Sequence, residues 1–560
     1  MKILSITIKK QLKSNMYTLD YCHSDLSIMS RSDKLTPANK ENLLNQLNEL
    51  KLTYSNYLWL IGDVDSFLQL MSKIGFNVDA IKMIDLTTEM NMLLLTHPDF
   101  KKENCHLNRS IRAYNINTNS SCIYQQIQLL AQILKAHNST VSNQQKTINQ
   151  MLNRADYVKA MNEVTYGDQG FPIDEIKHLA IFNNKDKLIE IMQMQVNEIY
   201  GNIYVDSWNK DVKIIDHQKL KELANMHTDT KLQPLRQCIN TIDSLRESKL
   251  LSVKHDGFIK QNLKLMLNRN GINHKDGLQV CPLNAPTWVR SLIKPKPNYS
   301  MITIRWNQIE IGIPAGLSND STLIETYNTI EDDLYIALAK MVGVAELATR
   351  YSQKEIRKLF RGLHLSLMGD EVICSLVENI SLLRKPLKLK EINGTSPHQD
   401  EIYNQAKTIY DWYQSTFKSY AAWAKSIIPD ARRNGFIQSL DGWTYFIDDS
   451  ATNSHISYFP IEANCAALMR LAIQYLAKEN IPIIHTDKNI IYFTACINEQ
   501  EHTIKQVQEC MDRACYDLFN GNLILRTDVN IYDKSNAFSK DKASIEFTRL
   551  LNDYCTRQAA

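Results

Sequence analysis

The sequence predicts an α+β protein of several domains, on three observations. The chain has 560 residues, more than one hydrophobic core ordinarily organises, which suggests two to four domains. Its first hundred residues alternate short apolar runs with helical patterns, the signature of an α/β unit. Beyond residue 155 apolar spacings of three and four dominate, later mixed with short β-branched runs.

The opening, MKILSITIKK, is a short apolar stretch between lysines. It is too short for a signal-peptide core and has no small-residue cleavage site, so it reads as a buried first strand. MYTLDY, YLWLIGDV and AIKMIDL follow as further strands. Residues 117–152 are rich in Asn, Gln and Ser, and there an apolar helix, IYQQIQLLAQILKA, gives way to a polar stretch. A domain boundary is placed near 140–155. Residues 155–250 are helical in pattern, and residues 250–300 lose that period. The rest mixes long helices (331–347, 352–383, 400–428, 462–478) with short strands (300–306, 435–447, 482–495). RKPLKLKEINGTSPHQDE, 384–401, reads as a basic surface loop or a solvated connection.

Composition narrows the function classes. An apolar content of 44% with 22% charged residues is that of a globular chain. The net charge of +3 neither demands nor excludes nucleic acid, because a basic groove can sit within a neutral total. No apolar run reaches the roughly 18 residues that span a bilayer. The eleven cysteines form no CxxC pair, which argues against a zinc ribbon or a disulfide framework and for reduced thiols in a cytoplasm-like compartment.

Four segments carry more. IRWNQIEIGIPAGLSNDSTLIETYNTIEDDLYIALAKMVG, from Ile304, resembles motif A of family A DNA polymerases, in the branch found in phages and plasmids. Gln308, Ile309, Glu310, Leu317, Ser318, Asp320, Tyr335, Ala339 and Lys340 fall in register, and the motif's leading aspartate falls on Arg305. ARRNGFIQSLDGWTYFIDD and YFPIEANCAALMRLAIQYL resemble the family's Ala-Arg-X-Asn-Gly-Tyr segment and a following helix, with Glu462 replacing a glutamine that reaches the primer–template minor groove. PIIHTDKNIIYF, a polar turn between two apolar strands, resembles motif C, His-Asp-Glu. His485 matches, the catalytic aspartate falls on Thr486, and the glutamate falls on Asp487.

SQKEIRKLFRGLHLSLMGDE resembles motif B, the fingers helix, in two registers. One aligns Ile356, Phe360, His364 and Met368 with the motif; the other aligns Arg357, Arg361, Leu365 and Gly369 and alone supplies cations. A weaker match from His255, with Asp256, Gly257, Leu283 and Pro286 in place, lacks the arginine expected beside Gly271 and Asn273. The resemblance implies a right hand of palm, fingers and thumb preceded by an RNase H-like 3′–5′ exonuclease-type domain. The implied units are 1–150 for the exonuclease-like domain, 151–299 for the thumb and start of the palm, and 300–560 for palm and fingers, with fingers at about 325–430.

The chemistry reads as lost. Phosphoryl transfer in this family uses two magnesium ions about 4 Å apart, held chiefly by one aspartate from motif A and one from motif C. Arginine keeps its charge at any working pH and accepts no metal bond. At about 4 Å and an effective dielectric near 20, one unit-charge pair is worth roughly 4 kcal/mol, and a divalent ion doubles it. Arg305 is therefore expected to fill the vacated metal position and pair with Asp487 or Glu310, the remnants of the catalytic set. In a competing reading, a slip of one residue makes Asp487 the motif C ligand.

In the N-terminal unit YTLDYCHSDL resembles the first exonuclease strand. Asp20 matches, Cys22 stands where the family has glutamate, and IRAYNINTNSSCIYQQIQLL, which resembles the last exonuclease helix, contains no acid. Blander readings remain open. Asp20, Asp63 and Asp65 cap strands and turns, His485 is a structural hydrogen-bonder, Trp306 and Tyr335 are core aromatics, and the cations of 354–361 form a solvated helix face.

The resemblance thus implies a catalytically inactive polymerase-like protein that binds nucleic acid, or a scaffold in a replication or virus assembly. Arg357, Lys358, Arg361, Gln308, Glu462, His485 and Arg432 are its expected contacts. The expected partners are DNA or another nucleic acid, with replication or virus proteins besides, and no membrane. No metal is expected, and Mg²⁺ enters only with the alternative, an active DNA-directed DNA polymerase with a rebuilt metal site.

Overall fold

The apolar runs of the first hundred residues assemble a five-stranded sheet of order β3-β2-β1-β4-β5. Its strands are β1 (Lys2–Lys10), β2 (Tyr17–Asp25), β3 (Ile28–Lys34), β4 (Leu58–Ile61) and β5 (Met83–Asp85). β1 to β3 form an antiparallel meander, while β4 and β5 run parallel to β1. Burial on both faces explains the near-continuous apolar sequence of β1 and β4. Leu4, Ile6, Trp59 and Ile61 enter one core, and Ile3, Cys22, Leu60 and Ile84 another. Helices α1 (Lys40–Thr53), α2 (Val64–Ile74) and α3 (Leu86–Thr96) connect the strands. The computed structural model describes residues 2–10, 16–25, 28–34, 39–96, 130–131, 133–136, 144–166, 170–206, 213–226, 229–247, 258–259, 266–267, 273–274, 287–330, 333–344, 353–367, 372–383, 387, 402–533 and 547–553. The readings at Asp256, Gly257, Gly271, Leu283, Pro286, Met368, Gly369, residues 111–129 and most of the 384–401 loop lie outside these.

The acids of this unit are largely accounted for by local structure. Asp63 caps α2, accepting from Ser66 N at 3.2 Å, and Gly75 ends the helix at φ 80°. Asp65 accepts from Gln69 and from Asn162. Asp20 lies on the second strand, where the apolar run MYTLDY is expected to form one. It sits on β2, opposite Thr7, and the first strand is KILSITIKK, which carries no carboxylate. The apolar opening takes the central position because both its neighbours bury it.

Helix α4 (Gln144–Tyr166) runs across the expected boundary at 150. It packs against α2 and β5 on one side and against a long helix of the second half on the other. Its Arg154 makes a two-pronged ion pair with Glu89 of α3, at 2.7 and 2.8 Å, and both side chains are almost fully buried.

The second sheet has order β7-β8-β6-β9 and is antiparallel throughout. Its strands are β6 (Tyr299–Trp306), β7 (Ile483–Asp487), β8 (Ile490–Cys496) and β9 (Thr527–Tyr532). Alternation sends Ile302, Ile304, Trp306, Ile491 and Phe493 into the main core, with α8 (Ile309–Ser318), α15 (Asn453–Lys478) and α16 (Gln500–Leu518) behind them. The opposite, front face begins with Met301, Ile484 and Tyr492, covered by a smaller core. That core includes residues of α5 (Glu175–Asn183), α6 (Lys185–Tyr200) and α7 (Asp229–Glu247).

After α8, the helices between β6 and β7 are α9 (Ser321–Thr329), α10 (Leu334–Met341), α11 (Gln353–Ser366), α12 (Val372–Ser381), α13 (Ile402–Thr416), α14 (Lys418–Asn434) and then α15. Two expected single helices are pairs: 352–383 is α11 and α12, and 400–428 is α13 and α14. The second break falls at Phe417, which leaves helical dihedrals (φ −112°, ψ 65°) while its ring is wholly buried. Core packing there overrides helix continuation.

Candidate nucleic-acid interface

The pairing register decides which side chains meet at the end of the second sheet. Asp487 pairs with Ile490, Ile490 with Arg305, and Arg305 with Asp528. Paired residues of an antiparallel ladder project to the same side, so Asp487, Ile490, Arg305 and Asp528 form one row across the front face. The row lies where the face emerges from its cover. Thr303, one step back on β6, is 6% exposed, whereas the Arg305 side chain is 51% exposed.

This row corrects two expectations. Arg305 does not pair with Asp487 or Glu310; its Nε and Nη2 donate to Asp528 Oδ2 at 3.3 and 3.1 Å. Asp528 stands on the adjacent strand, whereas Asp487 is two strands away, roughly 10 Å at the usual strand spacing. Thr486 pairs with Ile491 and is buried on the back of the sheet, so Asp487 rather than Thr486 shares the face of Arg305. A register shift between Ile483 and His485 moves the hairpin by one residue.

Asp528 is fully engaged, because Asn307 Nδ2 donates to its other oxygen at 3.2 Å. Glu310, in the first turn of α8, accepts from Arg361 of α11 at 2.6 Å. Arg357, one turn earlier on α11, pairs with Asp333 at 2.6 Å and lies over the Tyr335 ring. α11 buries Ile356, Phe360 and His364 and exposes Lys354, Arg357, Lys358 and Arg361, so its cations stand on the outer face.

His364 is an anchor. Its Nδ1 lies 2.5 Å from Tyr413 Oη and its Nε2 lies 2.7 Å from the Glu310 carbonyl. A carbonyl only accepts, so Nε2 carries the proton and the tyrosine hydroxyl donates to Nδ1. Tyr420 donates to the His364 carbonyl and stacks on its ring at 4.8 Å. Burial pushes the imidazole pKa down to about 4. It also raises the Tyr413, Tyr420 and Tyr335 phenols above their usual range.

Two expected contacts face inward. The turn from β6 into α8 is completed within two residues, which forces Gln308 into the left-handed region (φ 48°) and folds its side chain into the protein. There Arg526 donates to its Oε1 at 3.0 Å, also donating to the Ile330 carbonyl and lying over the Tyr327 ring. His485 is wholly buried between Phe171 and Tyr492, with ring centroids at 5.6 and 5.5 Å. Arg432 is exposed but ties α14 to the start of α15 through the Ala451 carbonyl and Asn453. Trp306 and Tyr335 are core aromatics.

Glu462 is exposed on α15, one turn before Cys465. Burial, and then the charges of Glu310 and Glu462, push the Cys465 thiol up to about 12, against the cation of Lys488 in the β7–β8 turn. In the N-terminal unit Asp85, not singled out in the sequence, is buried at the end of β5. Desolvation and the neighbouring Asp63 push its carboxyl up to about 7. Asp528, Asn307, Arg526 and Tyr413 were likewise missed, since no local pattern marks a cross-strand or interhelical partner.

The residues at the row do not fit a two-ion magnesium site. A guanidinium stands between the carboxylates, Asp528 is committed to it, and Glu310 is committed to Arg361. Hard divalent ions need several oxygen ligands free of competing cations.

No protein-family model matches the chain, and no curated protein matches it. Among solved structures it is similar to the POL domain of Pol1 from M. smegmatis, determined in complex with DNA primer–template and dNTP. The TM-score is 0.61 at 15% identity, over 96% of this chain and 95% of that one. The chain has a polymerase-type α+β fold. At that coverage the likeness runs through the first sheet as well as the second. No helix among the described residues is long and apolar enough to cross a membrane.

Proposed function

We propose that this chain is a degenerate family A polymerase-like protein of the phage and plasmid branch that holds nucleic acid in its cleft without extending it. The observation that carries this reading is Arg305, a half-exposed cation pinned by Asp528 at the place where the resemblance puts a metal-binding aspartate. Phosphate contacts need cations rather than catalytic carboxylates, and Lys354, Arg357, Lys358 and Arg361 stand along one exposed helix face. The neighbour's bound primer–template lends support by fold alone. In this reading the second sheet is the palm, α11 belongs to the fingers, and the first sheet is a degenerate exonuclease-type unit. The order β3-β2-β1-β4-β5, with β4 and β5 parallel to β1, supports an RNase H-like unit.

One observation favours the active alternative. Asp487 shares the face of Arg305, so a carboxylate remains at the hairpin. Two measurements decide. Filter binding of primed DNA is expected to show micromolar or tighter affinity that falls steeply with salt, and primer extension with Mg²⁺ or Mn²⁺ is expected to yield no product. Absence of salt-dependent binding rejects the proposal. Extension abolished by Asp487→Ala establishes the alternative.

A further inference from the structure

We infer that Arg305 is a metal-independent phosphate anchor, taking an oxygen of a phosphate ester directly onto its guanidinium. The inference rests on the nucleic-acid reading above and specifies the atoms that do the holding. Arg305 spends Nε and one Nη2 proton on Asp528 Oδ2. Among the described residues Nη1 meets no acceptor, and the side chain is 51% exposed. A guanidinium has five N–H donors in a fixed plane. Fixing one edge on a carboxylate aims the other edge, so less side-chain entropy is lost when an anion arrives.

Asp528 is itself held by Asn307. The Asn307 backbone N donates to the Arg526 carbonyl at 2.8 Å, and its carbonyl accepts from Tyr327 at 2.7 Å. On the other flank Asn489 donates to the Trp306 carbonyl at 2.7 Å, locking the strand end that bears Arg305 to the β7–β8 turn. That turn presents Lys488, exposed and with φ 50°. A guanidinium fixed along one edge suits an oxygen of a tetrahedral phosphate. Asp487 on the same face opposes the anion, which limits how tightly it binds. Two ligands share this chemistry, the phosphodiester backbone of a strand and the phosphates of a nucleoside triphosphate.

The test uses the full chain in EDTA, with fluorescein-labelled primed DNA as one probe and a fluorescent deoxyadenosine triphosphate as the other. Wild type is expected to bind at least one, with affinity unchanged on adding Mg²⁺. Arg305→Ala and Arg305→Gln are expected to weaken that binding about tenfold, and Arg305→Lys to restore part of it. With DNA, loss of the cation also lowers the salt slope by about one. Weakening for DNA alone assigns the strand backbone, and weakening for the nucleotide alone assigns the triphosphate. Arg305→Gln keeps a donor for Asp528 and guards against misfolding. If wild type binds but both variants bind equally well, the anchor is wrong and cleft binding stands. If wild type binds neither probe, both readings fail. Strong Mg²⁺ enhancement that survives Arg305→Ala also overturns the anchor.

Discussion

At the scale of single residues, Arg305 sets the charge at the open end of the second sheet. Arg305 places a permanent cation in a row with two carboxylates, and register chooses Asp528 as its partner. The pair is half exposed, so its direct contribution to stability is below about 1 kcal/mol. In the proposed reading its consequence is exclusion of metal rather than stabilisation. Arg305→Asp is therefore expected to create a metal site that the parent lacks, with a new carboxylate between Asp487 and Asp528. Isothermal titration with Mn²⁺ should show binding by the variant and none by the parent. Equal heats from both proteins would sink the view that these three positions share a face.

The strand that bears Arg305 was legible in the sequence, because a β-branched run leads into a helix there. Its partner was not, because Asp528 lies 223 residues away in a strand whose own sequence, TDVNIY, says nothing of the neighbour it will find. Gln308 shows the opposite error. Its motif position suggested a ligand contact, but the tight strand-to-helix turn points it inward.

At the scale of elements, α11 is clamped to α8. Arg361 holds the Glu310 carboxylate, His364 holds the Glu310 carbonyl, and Tyr413 and Tyr420 from α13 and α14 hold His364. The imidazole is neutral when folded, with a pKa of about 4 against 6.5 for the free side chain. Its folded pKa is depressed, so its contribution is complete above pH 6.5 and lost as the pH falls towards 4. A shift of that size corresponds to about 3 kcal/mol. Urea midpoints should therefore fall between pH 6.5 and 4 in wild type. His364→Gln should start lower at pH 7 and lose less stability over that interval. Parallel loss in both proteins would remove His364 as the cause. α11 buries Ile356, Phe360 and His364 and exposes Arg357, Lys358 and Arg361. One motif register follows the buried stripe of Ile356, Phe360 and His364, and the other follows the cations beside it. Sequence alone could not choose between the two registers, because the segment carries both an apolar and a basic face.

At the scale of the molecule, α4 joins the two sheets. The Glu89–Arg154 pair sits in the first contact, and Asp441, held by Arg470 at 2.6 Å, sits close enough for its charge to act on Arg154. Burial works to raise the Asp441 carboxyl, but Arg470, Ser439 and Arg154 outweigh it and hold it low. Removing one member of a buried pair leaves an uncompensated charge and costs about 3–5 kcal/mol, whereas replacing both with apolar residues is close to neutral. Glu89→Ala is expected to lower the thermal midpoint markedly, and Glu89→Leu with Arg154→Met to recover most of the loss. Equal losses in single and double variants would show that the charges are not the joint. The composition shift near residue 140 is real in the sequence, but it does not mark a structural break at 150, since α4 passes straight through it.

The sequence by itself determined most of the element types, the apolar faces, and the likeness to a polymerase fold. These are local properties, written in residues a few positions apart. Tertiary structure alone decided that Arg305 turns to Asp528, that Asp487 rather than Thr486 shares its face, and that Gln308 and His485 are buried. Each depends on strand order, register or packing between residues distant in sequence. A shift of one residue in an antiparallel ladder moves a side chain to the other face of the sheet.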